Sequence, residues 1–204
     1  MPLKSNFKID LTKEKHLSSL LDSYYQKHLR FYNFKRMHAL KQQLTGIDLV
    51  LKHKTSPQTF FLDEKAQLDY INESLPTFAF ELFYQKNGMD KPGWLFDSNK
   101  VTHFYALVTS IFSDEAGKYT SCNITFVNRR KLISYLTKRG LTQLFLKEVI
   151  TNNKDFHGKL ILENLNPKTE GYLFFSRKNK VESPINLVLK LEFLCRVGVA
   201  RKFV

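Results

Sequence analysis

A chain of 204 residues with 43% hydrophobic and 14% aromatic side chains has the material for a packed core, which excludes a disordered tail. Thirty-two Lys and Arg against 19 Asp and Glu leave a formal charge of +13, an excess that strains the folded surface and suits a polyanionic partner, nucleic acid first. No run of about 18 apolar residues occurs, and the start MPLKSNFKID lacks the apolar stretch of a signal peptide, so the expectation is a cytoplasmic protein with no membrane partner.

Residues 1–12 read as a flexible start. From Lys13 to Leu44 there is neither Gly nor Pro, and apolar residues recur at Leu17, Leu20, Leu21, Tyr24, Phe31, Phe34, Met37, Leu40 and Leu44. These three- and four-residue steps predict one long amphipathic helix, or two with a bend, stopped by Gly46. Lys27, Arg30, Lys35 and Arg36 fall on its other face, which is either simply solvated or suited to phosphate. Ile47–Leu51 is a short strand carrying Asp48. The turn-rich HKTSPQ follows, with Pro57 unable to sit in a central ladder. Thr59–Gln67 is a second strand. Alternation along it sends Phe61, Asp63, Lys65 and Gln67 to one face and Phe60, Leu62, Glu64 and Ala66 to the other.

Thr77–Gln85 is a third strand, with Glu81 opposite its aromatic face, and Asn87–Gly93 is a loop. Trp94–Phe96 and Thr102–Phe112 add strand material. Ile124–Val127 runs into a helix capped by Gly140, whose start carries a second basic cluster, Arg129, Arg130 and Lys131. A further helix covers Thr142–Ile150, and Tyr172–Phe175 is a strand. Ser183-Pro184 supplies an N-cap and first-turn proline for a helix over INLVLKLEFL. There is no repeat and no shift of composition, so a single α/β domain is expected. Cys122 and Cys195 read as reduced thiols. His16, His28 and His38 lack the spacing of a helical metal pair, and neither a G-x-S-x-G elbow nor a phosphate-binding G-x-x-x-x-G-K loop is present.

The chemistry therefore concentrates on the hairpin. Hydrolysis of a phosphodiester needs a divalent metal held by carboxylates and a cation beside the developing charge. Two carboxylates on adjacent strands suit a hard ion such as Mg²⁺ or Mn²⁺, and a lysine two residues after the second lies on the same face. The bland alternative is an exposed hairpin face with an Asp63–Lys65 salt bridge.

In Asp48 followed by Asp63-Glu64-Lys65, after a helix and with more strands to come, the chain resembles the PD-(D/E)XK nuclease superfamily over about residues 13–85. The resemblance implies a restriction-endonuclease-like mixed central sheet flanked by helices and preceded by a long N-terminal helix. It makes Asp48 and Asp63 metal ligands and Lys65 the catalytic lysine, with Glu64, Gln67 and Glu81 as accessory candidates. The implied activity is cleavage of DNA ahead of RNA, with homodimers admitted, in a context of phages or mobile elements. The family often has an acid on its first helix; here Glu14 and Asp22 are the only acids between Lys13 and Ile47, and neither is near the end that should approach Asp48. The rival readings are a non-catalytic nucleic-acid-binding protein on a decayed nuclease fold and a basic module that docks an acidic protein.

Overall fold

Two sheets divide the strands between them. A computed structural model describes residues 7–86, 89–115, 117–177 and 183–204. In chain order these form helix α1 (Phe7–His28), strand β1 (Tyr32–Arg36), helix α2 (Leu40–Leu44), and strands β2 (Leu49–His53), β3 (Thr59–Ala66), β4 (Thr77–Lys86) and β5 (Met89–Pro92). Next come β6 (Phe104–Glu115), β7 (Lys118–Asn128), α3 (Arg129–Lys138) and α4 (Gln143–Asn152). The chain continues through β8 (Gly158–Leu160), β9 (Gly171–Phe175), β10 (Ile185–Lys190), α5 (Leu191–Arg196) and β11 (Ala200–Lys202). The coarse expectation holds: this is an α/β protein containing a mixed sheet with helices. Among the described residues no helix is long and apolar enough to cross a membrane.

Where the sequence reads as one domain, the chain packs as two compact units. Among the described residues, one comprises those within 7–75, 99–129 and 200–204, and the other those within 76–98 and 130–199. The first holds the sheet β1-β2-β3-β6-β7-β11, antiparallel except for the β3–β6 pair. Leu17, Leu21 and Tyr25, one stripe of α1 at four-residue spacing, pack with Leu49, Leu51, Leu62, Ala106, Val108 and Ile124. At about 1.5–3 kcal/mol for each large apolar side chain buried, this layer anchors the hairpin β2–β3. The end of the chain closes the same layer: the Phe203 ring lies 4.6 Å from Phe126 and 6.0 Å from Tyr25, centroid to centroid.

The second unit holds the antiparallel sheet β5-β4-β10-β9-β8. Phe78, Phe80 and Leu82 of β4 and Leu187 and Leu189 of β10 are buried, and each set alternates as a strand requires. Arg139, just after α3, pairs with Glu170 at 2.9 Å and donates to the Asn164 carbonyl, tying the helix end to the approach to β9. Gly171 stands where an added Cβ would meet the Val188 carbonyl at 2.4 Å, so β9 and β10 approach too closely there for any side chain.

Several expectations are corrected. The long helix over 13–44 does not form. Helix α1 already begins at Phe7, within the segment read as a flexible start (residues 1–6 lie outside the described residues), and it ends at His28. Tyr32–Arg36 is instead an edge strand, pairing Tyr32 with His53 through Arg36 with Leu49. Its half-buried 32, 34 and 36 alternate with exposed 33 and 35, a period of two that the apolar spacing 31, 34, 37 disguised. Ile185–Lys190 is a strand, and only Leu191–Arg196 is helical, because buried Ile185, Leu187 and Leu189 alternate between two strand neighbours. Met89–Pro92 is a strand where a loop was expected, with residues 87–88 outside the described set, and Trp94–Phe96 is a turn.

Candidate active site

The β2–β3 register pairs Val50 with Phe61 and Leu49 with Leu62, so one further step sets Asp48 opposite Asp63. Backbone hydrogen bonds carry the pairing that far: Asp48 N–H donates to the Leu62 carbonyl at 2.8 Å. The Asp48 carboxylate in turn accepts from Glu64 N–H at 2.7 Å. Alternation then separates the three residues Asp63-Glu64-Lys65. Lys65 Nζ bonds Asp63 Oδ1 at 2.6 Å, on the face turned away from α1.

Glu64 points the other way, into the α1 layer. There Tyr25 Oη donates to its Oε1 at 2.9 Å, and the Arg36 guanidinium bridges it to Asp22, with Nε donating to Asp22 at 3.0 Å. The two carboxylates outweigh burial and raise the Arg36 pKa, while burial, then Glu64, pushes the Tyr25 hydroxyl well up. This is a half-buried network in which each charge is partnered, and partnering is what makes such burial tolerable. The network also fixes where two of the expected site residues point. The Glu64 side chain lies on the face opposite Asp63, and the Arg36 guanidinium is bonded to Asp22 and Glu64.

The site itself is electrostatically incomplete. Asp63 is 2% exposed, yet its Oδ2 accepts no hydrogen bond among the described residues. The Asp48 carboxyl is pushed up to about 7, first by burial and then by the neighbouring Asp63 charge; Lys65 and the Glu64 N–H act in the opposite direction. An unsatisfied buried oxygen beside a carboxyl that resists ionising is an arrangement a cation would relieve from both sides. The salt bridge of the bland alternative does form, but on a buried aspartate and not on an exposed face.

Gly46 supplies the roof. Its φ is +75°, and an added Cβ would meet Thr102 Oγ1 at 2.3 Å and Asp63 Oδ2 at 3.2 Å. The segment before β6 holds it there: Thr102 Oγ1 donates to the Gly46 carbonyl at 2.8 Å, Val101 N–H to Thr45, and Lys100 Nζ to the Leu44 carbonyl at 2.9 Å.

Asp48 and Asp63 offer the hard oxygen donors that Mg²⁺ or Mn²⁺ takes. Among the described residues no group of three or more His, Cys, Asp or Glu side chains is gathered for a metal. These two carboxylates would therefore share an ion with water, backbone carbonyl or phosphate oxygens, as Mg²⁺ sites commonly do. Gln67 follows at the end of β3, its N–H donating to the Val108 carbonyl. Glu81 is not on a strand beside β3: β4 pairs with β5 and β10, in the other sheet. Lys27, Arg30 and Lys35 are exposed, as are Arg130 and Lys131 in the first turn of α3, whereas Arg129 is partly buried and donates to Tyr105 Oη at 2.9 Å.

Sequence reasoning missed Tyr25, Arg36 as a buried partner, and Thr102. Tyr25 continues the Leu17–Leu21 stripe and was findable; the reach of Thr102 to Gly46, 56 residues away, was not. Compared with known protein families, with curated proteins and with solved structures, the chain matches none significantly.

Proposed function

We propose that the chain is a metal-dependent nuclease of the PD-(D/E)XK kind, hydrolysing DNA ahead of RNA with Mg²⁺ or Mn²⁺. One observation carries the reading: Asp48, Asp63 and Lys65 converge on the hairpin, with Asp63 Oδ2 buried and unsatisfied. Asp48 and Asp63 would hold the ion, which supplies Lewis acidity and lowers the pKa of water. Lys65, now paired with Asp63, stands where its ammonium can stabilise negative charge developing on the phosphate. The Glu64 N–H keeps the Asp48 carboxylate aimed, and the exposed Lys35, on the same face of the sheet as Asp63, would give a phosphate contact that positions a strand without reading its sequence.

The test is incubation of plasmid, linear and single-stranded DNA, and RNA, with Mn²⁺, Mg²⁺ or EDTA, comparing wild type with Asp48→Ala and Lys65→Ala. Metal-dependent cleavage abolished by either substitution is expected; cleavage indifferent to both would reject the site. A second reading, binding without cleavage on a decayed nuclease fold, is favoured by Asp22. This helix acid is taken up by Arg36 at 2.6 Å and so adds nothing to the acidic pair.

A further inference from the structure

The face of β3 that carries Asp63 and Lys65 also carries Phe61, which pairs with His103. Phe60, Leu62 and Ala66 pack into the α1 layer, and alternation puts Phe61 on the opposite face, where the β3–β6 register sets His103 beside it. Two backbone-anchored hydrogen bonds lock the pair together. Phe61 N–H donates to His103 Nδ1 at 2.9 Å, and His103 N–H donates to the Phe61 carbonyl at 2.9 Å. The imidazole lies over the phenyl ring, with centroids 5.1 Å apart and planes tilted by 32°, and an edge of Phe60 contacts it at 6.0 Å. His103 is nevertheless exposed, and Phe61 is half-buried. A side chain held this firmly, yet left open to solvent, gains nothing for the core from its rigidity.

Its surroundings point to the occupant. Phe61 precedes Asp63 by two residues, about 7 Å along the strand, so the ring stands within a single nucleotide of the two carboxylates. Across the hairpin Val50 pairs with Phe61, and Lys52, two residues on and therefore on the same face, is exposed. The Lys65 ammonium, a rigid aromatic surface and a second cation at Lys52 thus share one face of the hairpin. Aromatic faces flanked by cations bind unpaired bases, because a base within a duplex has both faces already stacked.

We propose that Phe61 and His103 form a stacking platform for an unpaired base next to the scissile phosphate, making single-stranded nucleic acid the substrate class of this site. The position of the phosphate rests on the nuclease reading; the platform itself is tested without catalysis. Fluorescence anisotropy in EDTA would measure the full chain on a homothymidine strand, an abasic strand of equal length, the matching duplex and a homouridine strand. Wild type is expected to hold the homothymidine strand about tenfold more tightly than the abasic strand or the duplex, the size of one stacking contact. Phe61→Leu, which keeps an apolar side chain, and His103→Ala, at an exposed position, should each erase that difference with an unchanged circular-dichroism spectrum. Equal affinity of wild type for the abasic strand or the duplex overturns the platform, as does a base preference that survives in both variants. The homouridine strand separates the sources: binding like homothymidine assigns the platform to bases on either sugar, and weaker binding assigns it to DNA. Base preference in EDTA without cleavage in Mn²⁺ would keep the platform and reject the nuclease; cleavage without base preference would do the reverse.

Discussion

The backbone N–H of Glu64 donates to Asp48 Oδ2 at 2.7 Å, while the side chain of the same Glu64 is gripped from the opposite face of the sheet by Tyr25 and Arg36. One residue thus connects the half-buried network to the candidate metal ligand. Replacing Arg36 by Met would leave Glu64 and Asp22 facing each other with their shared cation removed. Both partners of the Arg36–Glu64 pair are largely buried, at 15% and 13% exposure, so a loss of about 3 kcal/mol is expected in chemical denaturation. Adding Glu64→Gln to Arg36→Met should recover part of it. A surface phosphate-binding arginine would show the reverse, with unchanged stability and weakened nucleic-acid affinity.

The pH dependence of stability follows from Asp48. Its carboxyl is raised from 3.8 to about 7 in the folded chain, so the native state holds a proton the unfolded chain has released. Its stabilising contribution is complete below the unfolded value and is lost as pH rises through the folded one, by at most about 4 kcal/mol. Metal-free wild type should therefore lose thermal stability between those limits relative to Asp48→Asn. Added Mn²⁺ should raise the melting temperature more at about pH 8 than at about pH 5, because the ion competes with the proton for the same oxygens. Equal shifts at both pH values, or an unaltered response in Asp48→Asn, would count against the two-carboxylate site.

Gly46→Ala should be costly for two separable reasons. The left-handed φ of +75° costs an L-residue about 1–2 kcal/mol, and the new Cβ would press on Thr102 Oγ1 at 2.3 Å. A total loss of about 2–4 kcal/mol is expected in denaturant titrations. Thr102→Ala in the same chain should relieve the steric part and leave the backbone part.

Lys65→Met separates binding from chemistry. The lysine stands beside Asp63 and at the site's charge, so cleavage should fall by about 100-fold or more in single-turnover assays. Affinity for DNA in EDTA should stay within a few-fold of wild type, because exposed cations elsewhere supply most phosphate contacts.

The hairpin was legible because both of its signals are local. The alternation that separates Asp63 and Lys65 from Glu64 needs only the pleat of one strand, and both expected strands overlap β2 and β3. Tyr32–Arg36 was not legible: Phe31, Phe34 and Met37 fit a helix as well as Tyr32, Phe34 and Arg36 fit a strand, and pairing with β2 decided between them. Ser183-Pro184 is a good helix start in isolation, but β4 and β9 flank Ile185–Lys190 and claim its backbone. The role of Arg36 depends on partners 14 and 28 residues distant, which no spacing rule reaches. The division into two units was hidden because residues 76–98 leave the first sheet between β3 and β6, with no change of composition to mark the departure.

The strand β11 and Phe203 tie the site to a segment far from it in sequence. Phe203 packs against Tyr25, Tyr25 holds Glu64, and the Glu64 N–H meets Asp48, so residues 200–204 complete the scaffold behind the hairpin. Without them β7 would lack its outer neighbour and Tyr25 one of its packing partners. A chain stopped short of Ala200 should therefore carry both aspartates and the lysine on a less firmly supported hairpin, so the rigidity of the site depends on a strand that no local reading of the hairpin would connect to it.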